Sequence, residues 1–94
     1  MISEKDIEQR LKKKVEQQGA LCLKFVSPGT SGVPDRLILL KRGGSFFVEC
    51  KRPGENLRPL QRKMKSKFEK LGHTVEVVST FEEVDALVRL YWGV

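Results

Sequence analysis

The chain has 94 residues and a net charge of +6, with 39% hydrophobic and 32% charged residues. This length supports one modest core, so we expect a single domain over residues 1–94. No apolar run approaches the roughly 20 residues that span a bilayer and no apolar secretory stretch opens the chain, so we expect a cytoplasmic protein without a membrane partner.

The first predicted element is a helix. Ser3 can serve as its N-cap, and Gly19 can end it. Its apolar positions recur every four residues, at Ile7, Leu11 and Val15, which predicts one buried stripe on an otherwise charged helix.

Three strands are predicted next. Residues 20–26 form an apolar run typical of a strand, and residues 27–34 contain too many glycines and prolines for regular structure. The runs 36–41 and 45–51 flank two glycines, at residues 43–44, so we expect them to form an antiparallel hairpin.

The second half of the chain alternates between helix and strand. Pro59 suits the first turn of a helix that ends at Gly72. The predicted apolar stripe of this helix comprises Leu60, Met64, Phe68 and Leu71. Residues 74–79 predict a fourth strand, and residues 80–83 form a capping-box signature that opens a last helix. The order αβββαβα indicates an α/β fold with one mixed four-stranded sheet flanked by helices.

Positive charge is concentrated in the middle of the chain. Residues 51–70 contain eight Lys and Arg against two acids, Glu55 and Glu69. The segment is therefore a candidate surface for a polyanion such as nucleic acid, although a charged helix face is more often merely solvated.

The two cysteines, Cys22 and Cys50, lie within apolar runs rather than at metal-ligand spacing. This placement argues against a zinc site and against a disulfide framework. We expect both to be reduced core residues.

Candidate catalytic side chains converge at the open end of the predicted hairpin. Glu49 and Lys51 share one strand face, because side chains alternate along a strand. With residues 43–44 as the central turn, paired positions sum to 87, which places residue 52 opposite Asp35 and Glu49 opposite Ile38. Asp35, at the start of the first strand of the hairpin, is thus expected to lie near Glu49 and Lys51, at the end of the second strand.

Two carboxylates at such a place form a hard oxygen site, which suits Mg²⁺ or Mn²⁺. A metal between Asp35 and Glu49 can polarise a phosphate, and Lys51 can orient a water or offset developing charge. The backbone carbonyl of Cys50 is a further candidate ligand. An isolated Glu-x-Lys, however, is usually an ordinary exposed pair on an edge strand.

Three motifs together resemble the VRR-NUC family of the PD-(D/E)XK nuclease superfamily: Gly32-Val-Pro-Asp-Arg36, Phe47-Val-Glu-Cys-Lys-Arg-Pro-Gly54 and Leu57-Arg-Pro-Leu-Gln61. The resemblance spans nearly the whole chain and is closest to stand-alone phage and bacterial members, which implies a restriction-endonuclease-like core in a bacterial or phage-infected cytoplasm. It also implies that Asp35 and Glu49 are metal ligands, Lys51 the catalytic lysine and Gln61 a glutamine near the site.

The resemblance further implies an acidic metal ligand from the first helix. Glu4 and Glu8 both qualify, because they lie one turn apart on one helix face. Glu4 occupies the family's usual acidic position, whereas the spacing to Gly19 in related archaeal junction resolvases favours Glu8. Both residues stay candidates.

Phosphate contacts are expected from polar and basic residues around these motifs. The candidates are Ser27, Arg36, Arg52, Arg58, Arg62 and Lys65.

We expect a Mg²⁺-dependent, structure-selective DNA endonuclease, because no element resembles a base-reading helix. A homodimer that resolves Holliday junctions is the main hypothesis, with residues 90–94 supplying an apolar patch unless Tyr91 and Trp92 belong to the core. One alternative is a monomeric flap or nicking nuclease with the same chemistry. Another is a non-catalytic DNA-binding module, against which the intact Asp35, Glu49 and Lys51 argue.

Overall fold

The computed structural model describes residues 1–94 and contains three helices and four strands. In chain order they are α1 (Glu4–Gln17), β1 (Leu21–Lys24), β2 (Arg36–Leu39), β3 (Ser45–Cys50), α2 (Pro59–Lys70), β4 (Val75–Val78) and α3 (Phe81–Trp92). The predicted order αβββαβα is confirmed. The longest helix has 14 residues, and no helix is long and apolar enough to cross a membrane.

The strands form one sheet in the order β1-β2-β3-β4. The first two pairings are antiparallel and the β3–β4 pairing is parallel. Parallel neighbours need a long crossover connection, and α2 provides it between β3 and β4. The predicted mixed four-stranded sheet is thereby confirmed.

Helices cover both faces of the sheet. On one face α1 and α3 enclose the main core, where the stripe of α1 packs against alternate residues of the strands. This core contains Ile7, Leu11, Val15, Ala20, Cys22, Ile38, Phe46, Val48, Cys50, Val78, Val84 and Leu87. Both cysteines are free and buried there, as predicted.

A smaller aromatic cluster holds α2 on the other face. The rings of Phe47 and Phe68 meet edge to face at 4.9 Å, and Phe25 lies 5.2 Å from Phe47. Such edge-to-face pairs stabilise the contact beyond simple area burial. The cluster fixes α2 beside the strand that carries Glu49.

The buried side of α2 differs from the predicted stripe. Leu71 is 77% exposed and Leu60 is 47% exposed, whereas Gln61 is buried at 7% exposure. The side of α2 that packs against the sheet contains Gln61, Met64 and Phe68, whose spacing also matches one face of a helix. Burial of the Gln61 amide is possible because its Oε1 accepts a hydrogen bond from the Arg58 N–H at 2.9 Å.

The first and last helices begin at side-chain caps. Ser3 and Asp6 form a full capping box, with N–H to oxygen distances of 2.9 and 3.1 Å. At α3 the Thr80 hydroxyl accepts the Glu83 N–H at 3.0 Å, but the Glu83 carboxylate accepts the Ser79 N–H instead of closing the predicted box.

The predicted register of the β2–β3 hairpin is wrong. Arg36 pairs with Val48 and Ile38 with Phe46, so paired positions sum to 84 rather than 87. Residues 41–43 form the loop, closed by the Leu40 N–H donating to the Gly44 carbonyl at 3.1 Å. The predicted and observed sums differ by three, and an odd difference moves every side chain of one strand to the other face relative to its partner. The predicted register would therefore put Ile38 on the same face as Glu49, away from the main core.

The corrected register has a direct consequence for the candidate site. When the β2–β3 pairing is continued one residue beyond Arg36, Asp35 lies opposite Glu49 instead of opposite residue 52. Residues opposite each other in an antiparallel pair lie on the same face of the sheet. The two carboxylates are therefore direct cross-strand neighbours.

We expect the main core to dominate stability. Leu11→Ala removes a fully buried side chain of α1 and should lower the free energy of unfolding by about 2–5 kcal/mol. Leu71→Ala, the matched control at an exposed position, should change it by less than about 0.5 kcal/mol. Urea denaturation compares the two, and equal losses would contradict this description of the core.

Candidate active site

The candidate catalytic residues gather at the end of the sheet where β2 begins and β3 ends. Asp35 precedes β2, Glu49 lies within β3 and Lys51 directly follows it. Glu49 is 3% exposed and Lys51 is 2% exposed. Charged side chains are rarely buried to this extent in a small protein unless they are paired or functional.

Asp35 is held at both its backbone and its side chain. Its carbonyl accepts the Phe25 N–H at 2.8 Å, and its Oδ2 accepts the Cys50 N–H at 2.8 Å. The Cys50 backbone, a predicted metal ligand through its carbonyl, is thus adjacent to this carboxylate. The hydrogen bond joins the start of β2 to the end of β3 and fixes the position of Asp35.

The Asp35 and Glu49 carboxyl groups share a hydrogen bond. Burial is the largest of the causes that together raise the pKa of Glu49 to about 9, followed by the hydrogen bond with Asp35 and the negative charge of Asp35. These causes favour the neutral form of the Glu49 carboxyl group as long as no cation offsets the charge of Asp35.

Glu4 and Glu8 differ in their surroundings. Burial raises the pKa of Glu4, and the negative charge of Asp35 contributes further. The Glu8 carboxylate instead accepts the Arg36 Nε–H at 3.0 Å, with both side chains 14% exposed. Glu8 is thus already paired with a cation, whereas Glu4 has no ion-pair partner within 4 Å.

Lys51 contacts the backbone of β4 and the carboxylate of Glu55, a residue that was not predicted to belong to the site. Its N–H donates to the Val78 carbonyl at 2.9 Å, and its Nζ lies 3.8 Å from Glu55 Oε1. Glu55 also pairs with Arg52 Nε at 3.1 Å. The sequence does contain a signal for Glu55, because it is an acidic residue four positions after Lys51 in an otherwise basic segment.

The donor set determines which metal these residues could hold. No three Asp, Glu, His or Cys side chains lie close enough together to enclose a metal ion. Mg²⁺, however, usually binds through one or two carboxylates and takes its other ligands from water and phosphate. The neighbouring carboxyl groups of Asp35 and Glu49 fit that requirement, and a cation there would offset their mutual repulsion.

The predicted DNA contacts have different environments. Arg36 is buried against Glu8, so its guanidinium is not part of the free surface. Arg52 is exposed but paired with Glu55. Ser27 is half-buried in the loop that precedes Asp35.

The remaining predicted contacts lie on or beside α2. Arg58 and Arg62 are exposed and have no acidic partner within 4 Å. Lys65 pairs with Glu69 at 2.8 Å. The Arg62 guanidinium donates to the Leu57 carbonyl at 2.6 Å, so the start of α2, which also carries Gln61, presents the two predicted contacts that have no acidic partner.

One close approach joins this turn to the loop before Asp35. Gly32 has a φ of +86°, and a Cβ on it would lie 2.8 Å from the Leu60 carbonyl oxygen. Only glycine permits both the backbone conformation and the contact. Gly32 therefore couples the position of Asp35 to the first turn of α2.

Comparisons with known proteins agree with this arrangement. The family model described as VRR-NUC domain matches residues 2–82. The chain is 45% identical over 80 residues to "Putative nuclease p44" of Acyrthosiphon pisum secondary endosymbiont phage 1, covering 85% of this chain and 86% of that protein. A solved structure described as "VRR_NUC domain" superposes with a TM-score of 0.86 at 34% identity, covering 97% of this chain and all of the other.

The contact of Gly32 with α2 generates a stability prediction. Gly32→Ala should lower the free energy of unfolding by about 1–3 kcal/mol, because the added Cβ meets backbone and the left-handed conformation strains alanine. Gly29→Ala is the matched control in the same loop, with no atom within 4 Å of its added Cβ. Thermal melts compare the variants, and a Gly32→Ala protein as stable as Gly29→Ala would contradict the coupling.

Proposed function

Because the chain belongs to the VRR-NUC domain family and is a nuclease, we propose that it is a Mg²⁺-dependent endonuclease that hydrolyses DNA phosphodiester bonds. The observation that carries this proposal is the buried Glu49 carboxyl group, which lies against the half-buried Asp35, with the buried Lys51 on the same strand face. A non-catalytic DNA-binding module would gain nothing from burying these charges, since desolvation alone is costly.

Asp35 and Glu49 are the proposed ligands of Mg²⁺, with Mn²⁺ as a substitute and Glu4 as the third acid. When bound, the cation polarises the scissile phosphate and lowers the pKa of a water molecule. Asp35 is already oriented by the Cys50 N–H, and Glu49 by its place inside the sheet. The Cys50 carbonyl is a further proposed ligand, whereas the proposed role of Glu8 is to hold Arg36.

Lys51 is the proposed electrostatic catalyst. Its ammonium group is almost fully removed from solvent, which distinguishes it from an ordinary exposed pair on an edge strand. A cation in such an environment interacts more strongly with charge that develops on phosphate than it would in water. Lys51 also reaches the carboxylate of Glu55, which sets the direction of its side chain before substrate binds.

The first turn of α2 is the proposed phosphate-binding surface. Arg58, Arg62 and Lys63 are exposed there, and none has an acidic partner within 4 Å. Contacts of this kind position DNA without reading its sequence, which agrees with a structure-selective enzyme. Gln61, buried between this turn and the sheet, is proposed to keep the turn beside the catalytic residues.

A homodimer that resolves four-way junctions is the finer part of the proposal. Tyr91 and Trp92 pack against Phe46, so only part of the apolar C-terminal segment is free. An apolar groove between β4 and α3 includes Val77 and Leu90, and Leu90 is 73% exposed. A two-fold contact through this groove would cover both copies and would supply two active sites for paired strands.

The catalytic proposal predicts separate effects on cleavage and binding. Glu49→Gln and Asp35→Asn should each lower the Mg²⁺-dependent cleavage rate by roughly 10²-fold or more, because each removes a metal ligand. DNA binding should persist, because the basic residues of α2 are unchanged. Glu82→Gln, at an exposed acid on α3, is the matched control. Cleavage by either site variant within tenfold of the wild type would refute the assignment.

The assembly proposal predicts a change in mass and in cutting pattern. Light scattering should give twice the chain mass of 10.7 kDa, and four-way junctions should be cut symmetrically in preference to flaps. Leu90→Glu should yield monomers that nick without paired cuts, because it places charge inside the contact. Leu71→Glu, at an exposed position on α2, should stay dimeric. A monomeric wild type that cuts flaps and junctions equally would favour the flap or nicking alternative.

A further inference from the structure

A second concave site lies at the end of the sheet opposite the catalytic carboxylates. It is a cavity of about 400 Å³ lined by Gln18, Leu40, Lys41, Arg42, Gly43, Tyr91 and Trp92. The β2–β3 loop forms one wall, and the last residues of α1 and α3 lie beside it. The four residues of β2 separate Asp35 from Leu40, so five extended steps of the chain place the two residues about 17 Å apart.

The charge of this cavity is entirely positive. Lys41 and Arg42 are exposed, and no acidic side chain lies within 4 Å of either charged group. No acidic residue lines the cavity. Neither cation forms a hydrogen bond with the end of α1, where the N–H groups of Gln18 and Gly19 bond to the Val15 and Glu16 carbonyls. The site therefore has uncompensated charge that favours an anion.

An aromatic surface lies next to these cations. Trp92 is half-buried, with its ring centroid 6.5 Å from Phe46 and 6.1 Å from Tyr91. These contacts support the indole ring, while the rest of the ring lines the cavity. An aromatic ring beside free Lys and Arg is the combination that holds single-stranded nucleic acid, because every base has a face that can stack.

We propose that this cavity binds one unpaired nucleotide, whose base stacks on Trp92 and whose phosphate is held by Lys41 and Arg42. Its volume suits a ligand of about that size and is too small for a duplex. The inference rests on the proposed DNA substrate but not on the carboxylate chemistry. Binding here anchors an unpaired strand of a branched DNA away from the cleavage site.

The chain offers a direct probe, because Trp92 is its only tryptophan. The full-length protein is titrated with a short oligothymidylate in EDTA, so that no cleavage occurs, and tryptophan emission is recorded. The oligonucleotide should quench the emission, while a blunt hairpin duplex of the same base count should not. Quenching by the duplex alone, by both equally, or by neither would overturn the proposal.

Charge-reversal variants separate this cavity from general surface charge. Lys41→Glu with Arg42→Glu should abolish quenching at oligonucleotide concentrations that saturate the wild type, with an unchanged melting temperature. Lys5→Glu with Lys13→Glu makes the same charge change at exposed positions of α1 and should keep the quenching. Equal loss in both pairs, or loss in neither, would overturn the proposal.

A third variant tests stacking. Trp92→Leu should weaken oligonucleotide binding, measured by fluorescence anisotropy of a labelled strand, by roughly 5- to 100-fold. Unchanged affinity in a protein that melts like the wild type would overturn the role of Trp92. Absence of Mg²⁺-dependent cleavage in a protein that still quenches would instead refute the proposed nuclease mechanism alone.

Discussion

The hydrogen bond from the Cys50 N–H to Asp35 Oδ2 is the interaction on which the site depends. It connects the residue that enters β2 with the residue that ends β3, at a distance of 2.8 Å. Because the register also places Glu49 opposite Asp35, the bond sets the separation of the two carboxyl groups. The relative position of the two carboxyl groups is therefore set by the pairing of β2 with β3.

The surrounding structure makes this concentration of buried charge possible. Two acids and a lysine at one end of a small sheet would destabilise the fold if they were isolated. Here burial beside Asp35 favours the neutral form of Glu49, and Glu55 lies close to Lys51. The main core on the opposite face supplies the apolar burial that offsets the remaining cost. Gly32 then joins the first turn of α2 to the same region, so DNA-binding and catalytic residues keep a fixed relation.

Much of the fold follows from short-range patterns. The periodicity of Ile7, Leu11 and Val15 identified α1, and the alternation along β3 placed Glu49 and Lys51 on one face. Two patterns were ambiguous. The glycines at residues 43–44 suit a short turn, yet the loop includes residues 41–43 because Ile38 must reach the main core. In α2 the apolar spacing that includes Leu60 and Leu71 fits a helix as well as the spacing that includes Gln61, yet Gln61 is buried and both leucines are exposed.

The sequence by itself determined which residues could be catalytic, because residue type and strand alternation are local properties that need no knowledge of packing. Only the tertiary structure decided which charges meet. Glu4 and Glu8 are equivalent on a helix, but Arg36, 28 positions away from Glu8, pairs with Glu8 and leaves Glu4 without an ion-pair partner. Such pairings depend on how α1 lies across the sheet. That orientation arises from the burial of many side chains at once, which no spacing within the chain records.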